Sequence, residues 1–205
     1  MRHYLNTTLK GKQDDLGLNY YSVYYMFSVS RQTFKIKSRI LNKQLREDQF
    51  EQMLNSKNKL LAKDQQIIEY CIEKSTFNGM LDVDHFKSVY QILCTSLILW
   101  YEDLIRNERG KIMDDFFYGA DVEETNSKDI LSDLEKKYKI DRRIVLNYLN
   151  RYSIYNQNNF NRYIIVYDWS QLNLRSDFMN YLNNTDIPSE HSELMGFIDE
   201  LISLI

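Results

Sequence analysis

At about residue 41 the hydrophobic period of this chain changes from two to about 3.6, and that change fixes the fold class. Upstream, residues 20–29 alternate without interruption. Tyr21, Val23, Tyr25, Phe27 and Val29 fall on one side, and Tyr20, Ser22, Tyr24, Met26 and Ser28 on the other. Residues 33–40 repeat the pattern, with Phe34, Ile36, Ser38 and Ile40 against Thr33, Lys35, Lys37 and Arg39. Ser30-Arg31 separates the runs as a turn, so they read as a β-hairpin. Leu5, Thr7 and Leu9, alternating with Asn6, Thr8 and Lys10, supply a third strand. Residues 11–19, with Asp14, Asp15 and Gly17, read as a loop.

Downstream, apolar residues recur every three or four positions. Helices are expected at residues 46–54, 57–74, 84–109, 129–137, 141–152, 176–182 and 189–205. The span 84–109 reads as one long helix whose middle is apolar through Ile92, Leu93, Leu97, Ile98 and Trp100. Residues 75–80, holding Asn78-Gly79, read as a break, and residues 163–169 as a short β-rich run. One proline, Pro188, and six glycines leave few breakers to interrupt helices. Pro188 and Ser189 are well placed to start the last one. The expected fold class is α+β: a small N-terminal three-stranded antiparallel sheet at 1–46, then a mainly α-helical body at 47–205.

Charge follows the same division. Residues 1–46 hold nine Lys and Arg against two Asp, a net +7, while residues 47–205 hold 17 basic against 27 acidic residues, a net −10. One end is built to meet an anion and the remainder is not. Lys35, Lys37 and Arg39 project from one face of the second hairpin strand, with Arg31 at its start and Tyr20 and Tyr24 on the same sheet face. Cations with aromatic rings on a sheet suit a phosphate backbone and, in a groove, base edges. A solvated outer face of a two-layer domain has the same alternation.

The order of strand, polar loop, long strand, tight turn and basic strand (residues 4–10, 11–19, 20–29 and 31–40) resembles the arm-type DNA-binding module of tyrosine recombinases. That resemblance implies a sheet docked in a DNA groove. Here the last strand ends Ser38-Arg39-Ile40-Leu41-Asn42, without the glycine and following tryptophan of that family. Its His-x-x-Arg box has no counterpart either, since His3, His85 and His191 are followed three residues on by Asn6, Ser88 and Leu194. A DNA-cleaving domain is therefore not expected.

Residues 131–150 resemble a helix-turn-helix, within a segment spanning 129–152. Leu131, Leu134 and Tyr138 lie on the first helix, Ile140 in the turn, and Val145 and Leu149 on the second, with Asp141 as its cap. Residues 136–151 carry a net +5. The resemblance implies that Arg142, Arg143 and Asn147 face the major groove. A plain helical hairpin within a bundle is the alternative. Glu135 stands where a small residue is usual, and Lys139 where glycine is.

No phosphate-binding glycine loop, Cys-x-x-Cys pair or Ser-His-Asp arrangement is present, so no catalytic residue, metal ligand or cofactor is assigned and an enzyme is not expected. Asp114, Asp115, Asp121, Glu123 and Glu124 read as a solvated acidic loop. Asp82 and Asp84 read as helix caps, and Cys71 and Cys94 as buried thiols in a reducing compartment. No stretch has a signal-peptide layout or is long enough to span a bilayer, and a cytoplasmic protein with no membrane partner is expected.

In the last helix Leu194, Phe197, Ile198, Leu201 and Ile205 form an apolar stripe. It either packs on the protein's own core or serves a partner or homo-oligomer. The leading expectation is a non-enzymatic DNA-binding accessory or regulatory protein of a phage or mobile element, contacting duplex DNA through the basic sheet. The alternative is a protein-interaction or structural component, such as a phage assembly or defence-countering factor, whose basic end docks on an acidic protein surface.

Overall fold

The computed structural model describes residues 1–8, 11–106, 130–160, 164–169, 172–184 and 191–205. The chain forms two compact units, Met1–Gln91 and Ile92–Ile205.

The first unit is a three-stranded antiparallel sheet covered on one face by helices. Strands β1 (Arg2–Leu5), β4 (Val23–Val29) and β5 (Gln32–Lys37) lie in the order β1-β4-β5. The expected loop before β4 contains a separate two-stranded ladder, β2 (Lys12–Gln13) with β3 (Asn19–Tyr20). The β4–β5 turn is where the sequence placed it. Ser30 (φ 48°) and Arg31 (φ 69°) are both left-handed, the type I′ geometry whose twist matches the flanking strands.

Alternation sets the layering. Val23, Tyr25 and Phe27 are no more than 2% exposed, whereas the residues between them stay half-exposed. Three helices supply the cover: α1 (Glu47–Asn55), α2 (Lys59–Lys74) and α3 (Val83–Leu93). Val23 clusters with Leu41, Phe50 and Leu61, and Leu5, Leu45 and Met53 flank the cluster. Phe27 packs on Phe34 of β5 and on Phe86 of α3, at ring distances of 5.5 and 5.3 Å. Each fully buried side chain of this size contributes about 1.5–3 kcal/mol, which a bare 46-residue sheet has no partner to supply. The unit therefore extends to Gln91 rather than ending at residue 46.

Between α2 and α3 the expected break is a second small hairpin, β6 (Thr76–Phe77) with β7 (Met80–Leu81). Asn78 (φ 49°) and Gly79 (φ 78°) turn it, and glycine suits that left-handed position. Ser30 Oγ donates to the Gly79 carbonyl, which ties the tips of the two hairpins together. Asp82 caps α3, its Oδ1 accepting the amides of Asp84 and His85. Asp84 instead pairs with Lys87.

The second unit is helical: α4 (Leu97–Arg106), α5 (Ile130–Tyr138), α6 (Arg142–Phe160), the single turn α7 (Val166–Trp169), α8 (Leu172–Asn183) and α9 (His191–Ser203). The expected continuous helix over 84–109 is corrected to two, α3 and α4, with residues 94–96 between them. There the backbone pairs with a distant segment. Ser96 bridges Ile165, Leu97 N donates to Ile164 O, and Val166 N donates to Thr95 O. Thr and Ser hold helices weakly, so this pairing prevails locally. The β-rich run expected at 163–169 is this bridge followed by α7, all four of whose residues are buried. Of the cysteines, Cys71 is buried and Cys94 only half-buried, and no disulfide joins them.

Helix α4 packs on α6, which runs eight residues past its expected end, and α9 packs on α5. Gly196 permits the second contact, because a Cβ there would lie 2.4 Å from Cε1 of Tyr138. The core around α8 is aromatic, with Tyr152 and Trp169 both edge-on to Phe178 at 4.7 and 5.2 Å. The expected helix start at Pro188 and Ser189 and the acidic residues Asp114, Asp115, Asp121, Glu123 and Glu124 lie outside the described residues.

Candidate nucleic-acid interface

The register of the sheet decides which side chains share the face that the described residues leave uncovered, opposite α1, α2 and α3. β4 pairs with β5 as Tyr24↔Lys37, Met26↔Lys35 and Ser28↔Thr33, and with β1 as Tyr4↔Tyr24 and Arg2↔Met26. Two rows therefore cross the sheet, Tyr4–Tyr24–Lys37 and Arg2–Met26–Lys35. β1, β4 and β5 contain no Asp or Glu. Among the described residues, Arg2, Lys35 and Lys37 form no ion pair, and all three are exposed. The rings of Tyr4 and Tyr24 lie 6.0 Å apart at 40°. Partial burial, with Tyr24 alongside, pushes the Tyr4 phenol above its ordinary pKa.

This face contains Lys35, Lys37 and Tyr24 of the residues singled out from sequence, and it adds Arg2 and Tyr4. Their signal was the alternation of Arg2 and Tyr4 with His3 and Leu5. Arg31 sits exposed in the hairpin turn at the end of the sheet. Arg39 and Tyr20 are placed elsewhere. β5 ends at Lys37, after which Ser38 is buried and its Oγ accepts the Leu41 amide, so the strand does not continue to Arg39. The Arg39 guanidinium donates to Gln91 Oε1 on α3 at 2.9 Å. Tyr20 belongs to the β2–β3 ladder, opposite Lys12, and its hydroxyl donates to Asp14 Oδ2. The Leu18 and Leu16 amides and that hydroxyl hold the Asp14 carboxyl below its ordinary pKa.

The opposite face carries a polar cluster that sequence reading missed. His3 places Nε2 3.0 Å from Asp64 Oδ2. Tyr90 donates to Asp64 Oδ1 at 2.7 Å and accepts the Arg39 amide at 3.0 Å. Asp64 is fully buried. Among the described residues, no group of three or more His, Cys, Asp or Glu is arranged to hold a metal ion.

In the second unit, α5 and α6 are joined by a short turn at residues 139–141. Lys139 takes φ 53° in the turn, the backbone state that usually selects glycine. Asp141 caps α6 by accepting the Arg143 amide at 2.6 Å. Arg142 is committed within the protein. Its guanidinium donates to Glu135 Oε2 at 2.6 Å and its amide to Glu135 Oε1 at 2.8 Å. Those bonds hold the Glu135 carboxyl below its usual range. Arg143 and Asn147 are exposed, and Leu146 is half-buried.

Four of the five residues of the C-terminal stripe, Leu194, Phe197, Ile198 and Leu201, are no more than 1% exposed. The face weighed as a partner surface is therefore the protein's own core, and Ile205 is half-buried beyond it. No described helix is long and apolar enough to cross a membrane. Comparison of the chain with protein-family models, with curated proteins and with solved structures finds no match.

Proposed function

We propose that this chain is a non-enzymatic DNA-binding accessory or regulatory protein of a phage or mobile element, and that it contacts DNA through the uncovered face of the β1-β4-β5 sheet. One observation carries the reading: Arg2, Lys35 and Lys37 stand exposed, without ion-pair partners among the described residues, on strands free of Asp and Glu. Charges left open on a folded surface are available to phosphates. Each phosphate neutralised releases counterions and makes binding salt-dependent. Arg31 extends the cationic surface to the hairpin tip. Arg143 and Asn147 of the second unit are a further candidate contact, without Arg142. The tyrosine- and asparagine-rich composition, typical of AT-rich genomes, supports the phage or mobile-element source.

The test is an electrophoretic shift assay with duplex DNA, single strands and RNA at two salt concentrations. Wild type should bind DNA, more weakly at the higher salt. Changing Arg2, Lys35 and Lys37 together to Glu should abolish the shift. Unaltered binding by that variant removes the sheet from the proposal. A discrete, salt-labile oligomer that ignores DNA in light scattering replaces it with protein docking.

A further inference from the structure

Resting on the DNA-binding reading, we infer that the sheet face takes an unpaired DNA strand, with two bases on the Tyr4–Tyr24 pair and the backbone along the Arg2–Lys35 row. The sequence suggested a basic comb on one strand with Tyr20 and Tyr24 on the same sheet face, which suits a duplex backbone and its base edges. The register of β1 changes the surface by setting a second tyrosine beside Tyr24 and a third cation across from Lys35.

Both tyrosines are half-buried on an uncovered face, and among the described residues neither hydroxyl is hydrogen-bonded. The rings, 6.0 Å apart, and their hydroxyls are therefore both open to a ligand. A base inside a duplex has its π-faces covered by its neighbours and must be unstacked at a cost of a few kcal/mol before a protein ring can meet it, whereas an unpaired base stacks without that cost. The cationic row runs parallel to the tyrosine row, two residues along the strands, which is about 7 Å away. That offset separates the bases on the rings from phosphates on Arg2 and Lys35, while Lys37 closes the tyrosine row with a third charge. Met26, between Arg2 and Lys35, adds apolar surface without competing charge. Strands without carboxylates present no like charge to the backbone.

The experiment measures fluorescence anisotropy of labelled oligonucleotides with the full chain: one sequence as single-stranded DNA, duplex DNA and single-stranded RNA. Single-stranded DNA should bind at least tenfold more tightly than the duplex. Its logarithmic salt slope should be about −2, as expected for three neutralised phosphates. Tyr4→Leu and Tyr24→Leu should each weaken single-strand binding about tenfold. Tyr4→Phe and Tyr24→Phe, which keep the ring, should bind as wild type does, and thermal melting confirms that every variant is folded. Duplex preferred, with both Leu variants unaffected, overturns the unpaired-strand inference while the DNA-binding reading stands. RNA bound tenfold more tightly than DNA overturns the assignment to DNA. Absence of binding to all three at low salt overturns both readings.

Discussion

The phenol of Tyr90 donates to Asp64 Oδ1 at 2.7 Å while its oxygen accepts the Arg39 amide at 3.0 Å. With His3 on the other carboxylate oxygen, one fully buried Asp ties β1, α2, α3 and the chain after β5. A buried carboxylate is tolerated only when its lone pairs are filled. Tyr90→Phe deletes a donor to the carboxylate and the acceptor of the amide. It should lower the unfolding free energy by about 1–3 kcal/mol in urea titration. A midpoint and slope equal to wild type would show that the hydroxyl does not hold the elements together.

Tyr25 provides the converse case on the same sheet. Its hydroxyl is buried without a hydrogen-bond partner among the described residues, and burial, with the charges of Glu69 and Asp64 nearby, pushes its pKa up to about 12. The folded state therefore keeps a proton that the unfolded chain releases near pH 10. Stability from this group is intact below about pH 10 and is lost as pH rises toward about 12. Tyr25→Phe removes an orphaned polar atom, so stability at pH 7 should be unchanged or higher and the alkaline unfolding midpoint should rise. Circular dichroism across pH 8–12, a range set by the ordinary tyrosine pKa of about 10, measures both. A lower midpoint would refute the assignment.

Glu135 and Arg142 link α5 to α6 across the turn. Because its carboxyl is held below the ordinary range, Glu135 contributes stability that is present above the unfolded carboxylate pKa of about 4.3 and lost as pH falls through the lower folded value. Both side chains are about one-fifth exposed, so the pair is only partly screened. Glu135→Gln should cost about 1–2 kcal/mol near pH 7. The two proteins should converge in acid. A difference that persists undiminished at low pH would point to packing rather than charge.

Arg31 separates stability from function. A side chain at φ 69° is strained in a way that glycine is not. Arg31→Gly should therefore stabilise the first unit by about 1 kcal/mol in thermal or denaturant melts. The same variant should bind DNA more weakly, with a shallower salt dependence. If affinity is unchanged, Arg31 lies outside the interface.

The sheet was readable because period-two alternation reports directly on which side chains face inward, and Tyr25 and Phe27 show it. Three features were not. The break at residues 94–96 depends on Ile164–Val166 pairing, and nothing in an apolar helical run announces a partner that distant in sequence. Arg39 continues the alternation on paper, yet the strand stops before the buried Ser38, because the Tyr90 hydroxyl captures the next amide. The contributions of Arg2 and Tyr4 depend on the register of β1 against β4, which hydrophobic pattern alone does not set when the strand is four residues long. On the helical side, the Glu135–Arg142 pair was not readable, because it joins two residues seven apart across a turn whose geometry the sequence pattern does not set.

The Ser96–Ile165 bridge has a kinetic consequence. It closes a chain segment of about seventy residues, an entropic cost of about 4 kcal/mol that must be met before the pairing returns any energy. During synthesis the sheet has all its strands and covering helices once residue 93 is free of the ribosome. The junction between α3 and α4 waits until residue 166 has emerged. The carboxyl-terminal half should therefore be the slow-folding half, and the nascent chain should pass through a stage in which the cationic sheet is already formed while the helices beyond it are not.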